Sequence, residues 1–223
     1  MKSFLPILSL LLCLSTADAQ AIVNVFQQDK SIKIQYDNGN TKEIVLVGDA
    51  SLVGYSRTRN LIIYESPVQK SKTAHEEGSI SHDQVAVRCY NPGSGQDSLL
   101  FTTCHDGSGG TRPAYANSSI YPFETICGFY SPTISPDGER LYFESSAWTV
   151  SNAVHYYNLK TRQLVFFKAG WLQKVTTAGV EVQITSIEIR NNQGNVESRG
   201  RYTQYCLFDV NGNLIRELSE KEF

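Results

Sequence analysis

Apolar and polar residues alternate along most of this chain in short runs, and the runs come in pairs joined by turns rich in Asn, Asp and Gly. A period of two is what a strand with one buried face requires, so paired runs predict antiparallel hairpins. The pattern recurs four times. Ile32-Lys33-Ile34-Gln35-Tyr36 leads through Asp37-Asn38-Gly39-Asn40 to Glu43–Val47, and Val85–Tyr90 leads through Pro92-Gly93-Ser94-Gly95 to Leu99–Phe101. Ala153–Asn158 leads to Leu164–Phe167, and Tyr205–Phe208 leads through Asp209-Val210-Asn211-Gly212-Asn213 to Leu214-Ile215. Taking Tyr36, Tyr90, Tyr157 and Phe208 as equivalent gives spacings of 54, 67 and 51 residues, the size of a propeller blade.

A second hairpin type lies between these. Ser56–Ser66 aligns with Ser135–Ser145 at a constant offset of 79, with Ser, Glu and Ser identical. The next hairpin is offset by only 67, so the polar stretch from Pro67 to Ile80 is an insertion in the first unit. A third inner hairpin is expected within Val180–Ile189, where apolar and polar residues alternate. One outer hairpin followed by three inner–outer pairs amounts to about three and a half blades. The expectation is an all-β protein of repeated antiparallel hairpins, a small or incomplete β-propeller; the alternative is a β-sandwich. No stretch has helical periodicity long enough for a stable helix, the nearest being Asn213–Glu222.

The segment Ile134-Ser135-Pro136-Asp137-Gly138-Glu139-Arg140-Leu141-Tyr142-Phe143 resembles the Ser-Pro-Asp-Gly, WD-like propeller repeat of TolB-like periplasmic proteins and of prolyl-oligopeptidase-type peptidases. Pro136 presets φ for the turn, Asp137 caps it, and Gly138 takes the positive φ. Only this repeat carries the motif in full; the equivalent unit has Arg57, Thr58 and Arg59.

Residues 1–19 combine a lysine, an apolar run through Leu14, and small residues at Ala17 and Ala19. That is the pattern of a secretory signal peptide, too short to span a bilayer. Cleavage after Ala19 leaves one all-β domain over 20–223, secreted or periplasmic. Leu12 before Cys13 argues against a lipid anchor. The mature chain then holds Cys89, Cys104, Cys127 and Cys206, an even number in an exported protein, which suggests two disulfides. The long Gly-, Ser- and Tyr-rich stretch between Cys104 and Cys127 would be steadied by closing it, which leaves Cys89–Cys206 as the second pair. The rival pairing is Cys89–Cys104 across a turn. No spacing fits a zinc site, and no metal or cofactor is expected.

Twenty Lys+Arg against 22 Asp+Glu, a net charge of −2, offer no field for phosphates, so nucleic acid is not an expected partner. Candidate chemistry is sparse. Asp106-Gly107-Ser108-Gly109-Gly110 has the wrong order for a serine-hydrolase loop, and His75, His82 and Asp83 are not ordered around it. Asp37–Asn40 and Asp209–Asn213 offer oxygen ligands without the distal Glu of a calcium loop, and read as turns. The chain is expected not to be an enzyme. Between the central cysteines lie Arg112, Tyr115, Tyr121 and Phe123, with Phe129 and Tyr130 just beyond. Aromatics and Arg are the usual anchors of protein interfaces. The expected function is binding another exported protein, as an inhibitor or as a periplasmic scaffold; the alternative is a small-ligand or carbohydrate-binding module.

Overall fold

A computed structural model describes residues 20–46, 49–69, 84–104, 111, 125–148, 151–190 and 196–219. These form fifteen strands in four antiparallel sheets, each a meander in chain order. The first sheet has three strands: β1 (Ile22–Gln28), β2 (Ser31–Tyr36) and β3 (Thr41–Val45). The other three have four each. They are β4 (Ser51–Ser56), β5 (Leu61–Gln69), β6 (Gln84–Tyr90) and β7 (Asp97–Thr102); then β8 (Tyr130–Ile134), β9 (Arg140–Trp148), β10 (Ser151–Asn158) and β11 (Gln163–Ala169); then β12 (Trp171–Thr176), β13 (Gly179–Arg190), β14 (Val196–Phe208) and β15 (Leu214–Leu218).

The sheets stack in sequence, and the cores lie between them. Ile32, Ile34, Ile62 and Tyr64 join the first to the second. Ile63, Val87, Phe101, Phe129, Leu141 and Phe143 join the second to the third, and Tyr142, Val154, Phe167, Val180 and Phe208 join the third to the fourth. Successive residues of β5 and β9 therefore point into different cores. That is why Leu141-Tyr142-Phe143 is an unbroken apolar run: both faces of its sheet are covered. The end sheets are apolar on one face only. On the outer side of the first, Lys33 pairs with Glu43 at 2.7 Å; on the fourth, Gln173 and Lys174 are exposed. Strand contacts run from β1 to β4, β4 to β8 and β8 to β12, and among the described residues no comparable contact joins the first sheet to the last. The stack is an arc of propeller-like sheets with a polar face at each end.

The Ser-Pro-Asp-Gly turn has the expected geometry. Gly138 sits at φ +71°, and the Asp137 carboxylate accepts from the Glu139 amide at 2.9 Å and from the Ser135 hydroxyl at 2.5 Å. The turn docks into its counterpart in the second sheet: Ser56 Oγ donates to the Gly138 carbonyl at 2.6 Å, Thr58 Oγ1 donates to the Asp137 carbonyl at 2.6 Å, and Arg59 pairs with Glu139. In the second sheet Asn60, at φ +50°, takes the left-handed position. Ser56, Thr58 and Arg59 thus hold one repeat unit against the next.

Two expectations need correction. Val180–Ile189 is not a hairpin but part of the single strand β13, paired with β12 on one side and β14 on the other; the turn lies at residues 177–178. Alternation marks a half-buried strand equally well whether its partner is one turn away or across the sheet. The second concerns the first repeat. Tyr36 N donates to Asn40 O, the bond made by Asn91 to Gln96 and by Asp209 to Asn213, so Tyr36 occupies the turn position of Asn91 and Asp209 and Gln35 is the counterpart of Tyr90 and Phe208.

With that register, Gln27, Glu65, Glu144 and Gln183 fall on one position of the second strand from the outer hairpin, each opposite the residue three before the hairpin end: Ile32, Val87, Val154 and Tyr205. Two of them clip adjoining sheets together. Gln27 Oε1 accepts from the Leu52 amide at 2.7 Å, and Glu144 Oε1 accepts from the Leu172 amide at 2.8 Å. In each case the amide belongs to the first strand of the following sheet. Strand β1 is therefore the counterpart of β5, β9 and β13, and among the described residues the first sheet has no counterpart of β4, β8 and β12.

Candidate binding surface

A disulfide closes the stretch between Cys104 and Cys127, whose Cα atoms lie 4.8 Å apart. Around it the Cys104 amide donates to Ile126 O at 2.6 Å, the Thr111 amide donates to Thr102 O at 2.7 Å, and Ile126 N donates to Thr111 O at 3.2 Å. The base of the segment is thus fastened to the end of β7 and to the core around Phe101 and Phe129, whose rings lie 5.8 Å apart edge to face. Arg112, Tyr115, Tyr121 and Phe123 lie outside the described residues, as do His75, His82, Asp83 and Ser108. Phe129 is buried in the core, whereas Tyr130 is 43% exposed.

The Cys89–Cys206 pairing is not formed. Both are buried free thiols, and they belong to different cores: Cys89, on β6, faces the interface of the second and third sheets, and Cys206, on β14, faces that of the third and fourth. An even cysteine count limits the possible bridges without bringing any two together. The rival Cys89–Cys104 bridge is likewise ruled out by the Cys104–Cys127 bond.

Two of the clefts that open between sheets combine apolar walls with polar groups. One of about 450 Å³, between the first and second, has apolar walls from Ile32, Ile44 and Leu46. A polar cluster lines its other side: Tyr64 Oη donates to Asp97 Oδ2 at 2.7 Å, and Arg88 Nε reaches Tyr64 Oη at 3.2 Å and Asp97 at 3.3 Å. Burial, helped by the Asp97 carboxylate, pushes the Tyr64 phenol up to about 12. The other cleft, about 270 Å³, lies between the third and fourth sheets beside the Ser135–Asp137 turn and is lined by Tyr142, Val175, Thr176 and Val210. Tyr142 is fully buried, its hydroxyl has no hydrogen-bond partner among the described residues, and burial raises its pKa.

A serine–histidine contact also exists, in the core. Ser145 Oγ is 3.4 Å from His155 Nδ1, but both side chains are fully buried and His155 stacks on Phe143 at 5.5 Å. Burial lowers the His155 pKa to about 3, so the ring is neutral and packs as an aromatic. Asp209 spends its carboxylate on its own turn, accepting from the Asn211 and Asn213 amides at 2.8 Å each. Among the described residues no group of three or more His, Cys, Asp or Glu side chains is placed to hold a metal. No helix among them is long and apolar enough to cross a membrane.

The clips Gln27 and Glu144 and the Tyr64–Arg88–Asp97 cluster are not marked by any motif in the sequence. The identity of Glu65 and Glu144 at the 79-residue offset was the available signal for the first. The cluster joins strands of one sheet through residues 24 and 33 apart, with no motif to mark it.

No family model matches the chain, and no curated protein matches it. Among solved structures, dipeptidyl peptidase 4 of Porphyromonas gingivalis is similar with a TM-score of 0.45 and 9% identity over 88% of this chain and 31% of that one. TolB of Acinetobacter baumannii is similar with a TM-score of 0.36 and 13% identity over 85% of this chain and 49% of that one. This chain thus spans less than half the length of either. The propeller-like description rests on strand order and stacking, not on these likenesses.

Proposed function

We propose that this chain is an exported, non-catalytic β-repeat protein that binds another exported protein, with Arg112, Tyr115, Tyr121 and Phe123 as side-chain anchors. The observation that carries the reading is the closed base of segment 105–124, where the Cys104–Cys127 bond and the backbone bonds at Thr111 and Ile126 tie an aromatic-rich stretch to the core. Fastening both ends of a loop lowers the entropy lost when its anchors are ordered against a partner. The leader-like residues 1–19 support export, and a disulfide persists in an oxidising compartment. The Ser145–His155 contact is shut off from any substrate by burial, which supports a structural role for the pair.

Capture by the tagged chain from the exported fraction of its own cell should recover one stoichiometric partner. The combined variant Arg112→Ala, Tyr115→Ala, Tyr121→Ala, Phe123→Ala should lose it while keeping its melting temperature. Recovery of no partner, or undiminished recovery by the variant, refutes the reading. Whether the partner's own activity falls on binding separates an inhibitor from a scaffold.

The cleft between the third and fourth sheets favours a second reading, a small-ligand or carbohydrate-binding module, because it sets the apolar side chains of Val175 and Val210 beside the polar Ser135–Asp137 turn, a combination that suits a small ligand. A ligand panel including saccharides should then raise the melting temperature for one chemical class, and Val210→Trp, which fills the mouth of the cleft, should abolish the rise. No shift with any class removes this alternative.

A further inference from the structure

We infer that the first sheet is an acceptor for one extended strand from another polypeptide, taken antiparallel along the open edge of β1. The inference names a second contact surface and does not depend on the 105–124 segment.

Internal repetition carries it. Each of the other three sheets continues past the counterpart of β1 with a short inner strand: β4 beside β5, β8 beside β9, and β12 beside β13. Each of these inner strands also touches its neighbours in the arc, β4 with β8 and β8 with β12. Among the described residues β1 pairs with β2 alone, although β4 lies against it at the position where β12 lies against β9. The clip from Gln27 to Leu52 joins the first sheet to the second here although no inner strand is found beside β1 among the described residues.

The edge itself is not defended. Soluble proteins blunt open edges with Lys, Pro or charge along the strand. Ile22-Val23-Asn24-Val25-Phe26-Gln27-Gln28 contains none of these. Val23 is 45% and Phe26 39% exposed, and five of the seven residues of β1 are exposed. One irregularity falls at its start, between Ile22 and Asn24, where Arg57 reaches the Val23 carbonyl at 3.4 Å, so the pairing length begins after it.

The same repetition describes the occupant. The inner strands read Ser51–Ser56 (SLVGYS), Tyr130–Ile134 (YSPTI) and Trp171–Thr176 (WLQKVT): five or six residues, aromatic or β-branched, with a single charge among the three at Lys174. The expected ligand is therefore an extended, nearly uncharged segment of five or six residues containing an aromatic side chain, held by main-chain hydrogen bonds with alternate side chains giving selectivity.

Hydrogen–deuterium exchange of the full chain tests this with a synthetic, end-capped peptide of sequence WLQKVT at millimolar concentration. Amides of β1 should exchange at least about tenfold more slowly with the peptide than without it. A peptide of the same composition with Pro in place of its Leu and Lys should give no protection, and Phe26→Lys should diminish the effect of the unmodified peptide. The inference is overturned by unchanged exchange in β1, by equal protection of the outer edges β3, β7 and β15, or by protection of β1 in the peptide-free protein together with a dimer in sedimentation, which would assign the edge to a second copy. The variant lacking Arg112, Tyr115, Tyr121 and Phe123 should show the same protection as the parent, so failure here and failure of the loop reading are separate results.

Discussion

The first sheet hides Ile32 and Ile34 on one side and sets Lys33 against Glu43 on the other, whereas the third buries Leu141, Tyr142 and Phe143 in succession, against one neighbour and then the other. Both are built from the same repeat. The difference is position in the stack: an end sheet needs one apolar face and an inner sheet needs two. Terminal units of repeat proteins carry a polar outer face for this reason. The clips follow suit. At the end of the stack the clip is the neutral, exposed Gln27; inside it is the buried carboxylate Glu144, which also accepts from Asn152 Nδ2 at 2.5 Å.

The comparison can be broken most forcefully in the inner core. Phe143→Ala removes a ring stacked on Phe101 at 5.1 Å and tilted against Phe129 at 5.1 Å, and should cost about 3–5 kcal/mol in urea unfolding. The value would fall well below that if the second and third sheets were only loosely joined. Loss of the Cys104–Cys127 bond comes next. Cys104→Ser with Cys127→Ser should cost about 3 kcal/mol on the chain-entropy account, and the denatured, unreduced chain starting at Gln20 should titrate two thiols, Cys89 and Cys206.

The clips sharpen the contrast. Glu144→Ala leaves the buried Leu172 amide without its acceptor and should cost about 2–3 kcal/mol, while Gln27→Ala, at an exposed position, should cost about 1 kcal/mol or less. Equal costs would mean that the inner and terminal junctions are alike. The turns repeat the contrast at smaller scale. A Cβ at Gly138, φ +71°, would meet Ser56 Oγ at 2.9 Å, whereas at Gly39, φ +82°, it would meet nothing within 4 Å. Gly39→Ala should carry only the left-handed backbone penalty of about 1–2 kcal/mol, and Gly138→Ala should exceed it.

The smallest effect is in pH dependence. Burial raises the Glu144 pKa above its ordinary value despite the bonds from Asn152 and Leu172. The folded state then holds the proton more tightly than the unfolded one, so this group's contribution is full below the ordinary carboxylate range, about pH 4, and is lost as pH rises through the folded pKa. Glu144→Gln should flatten that part of the stability profile; an unchanged slope would mean that Glu144 titrates as an exposed carboxylate.

Much of this was legible from local pattern. The strands β2, β3, β6, β7, β10, β11, β14 and β15 and the sharp turn at Gly138 follow from alternation and turn residues, because neighbouring positions of one hairpin record their own burial. Which strands lie opposite the hairpins left no such record, and Val180–Ile189 shows why: its alternation is satisfied by partners before and after it. The Tyr36 register was obscured because a tyrosine stands where the other repeats have Asn or Asp. The cysteines show the same limit, since Cys104 and Cys127 close a local excursion while Cys89 and Cys206 sit in separate cores.

The amino-acid sequence by itself determined the all-β class, the repeat and its turns, because period, turn chemistry and β-branched or aromatic content act over a few residues. Only the tertiary structure decided which sheets are covered on both faces, that Gln27 and Glu144 join neighbouring sheets, and that among the described residues β1 is the last strand of the first sheet. Those features depend on groups 25 to 28 residues apart meeting across an interface, and one chain carries no local mark of what will lie on its far side.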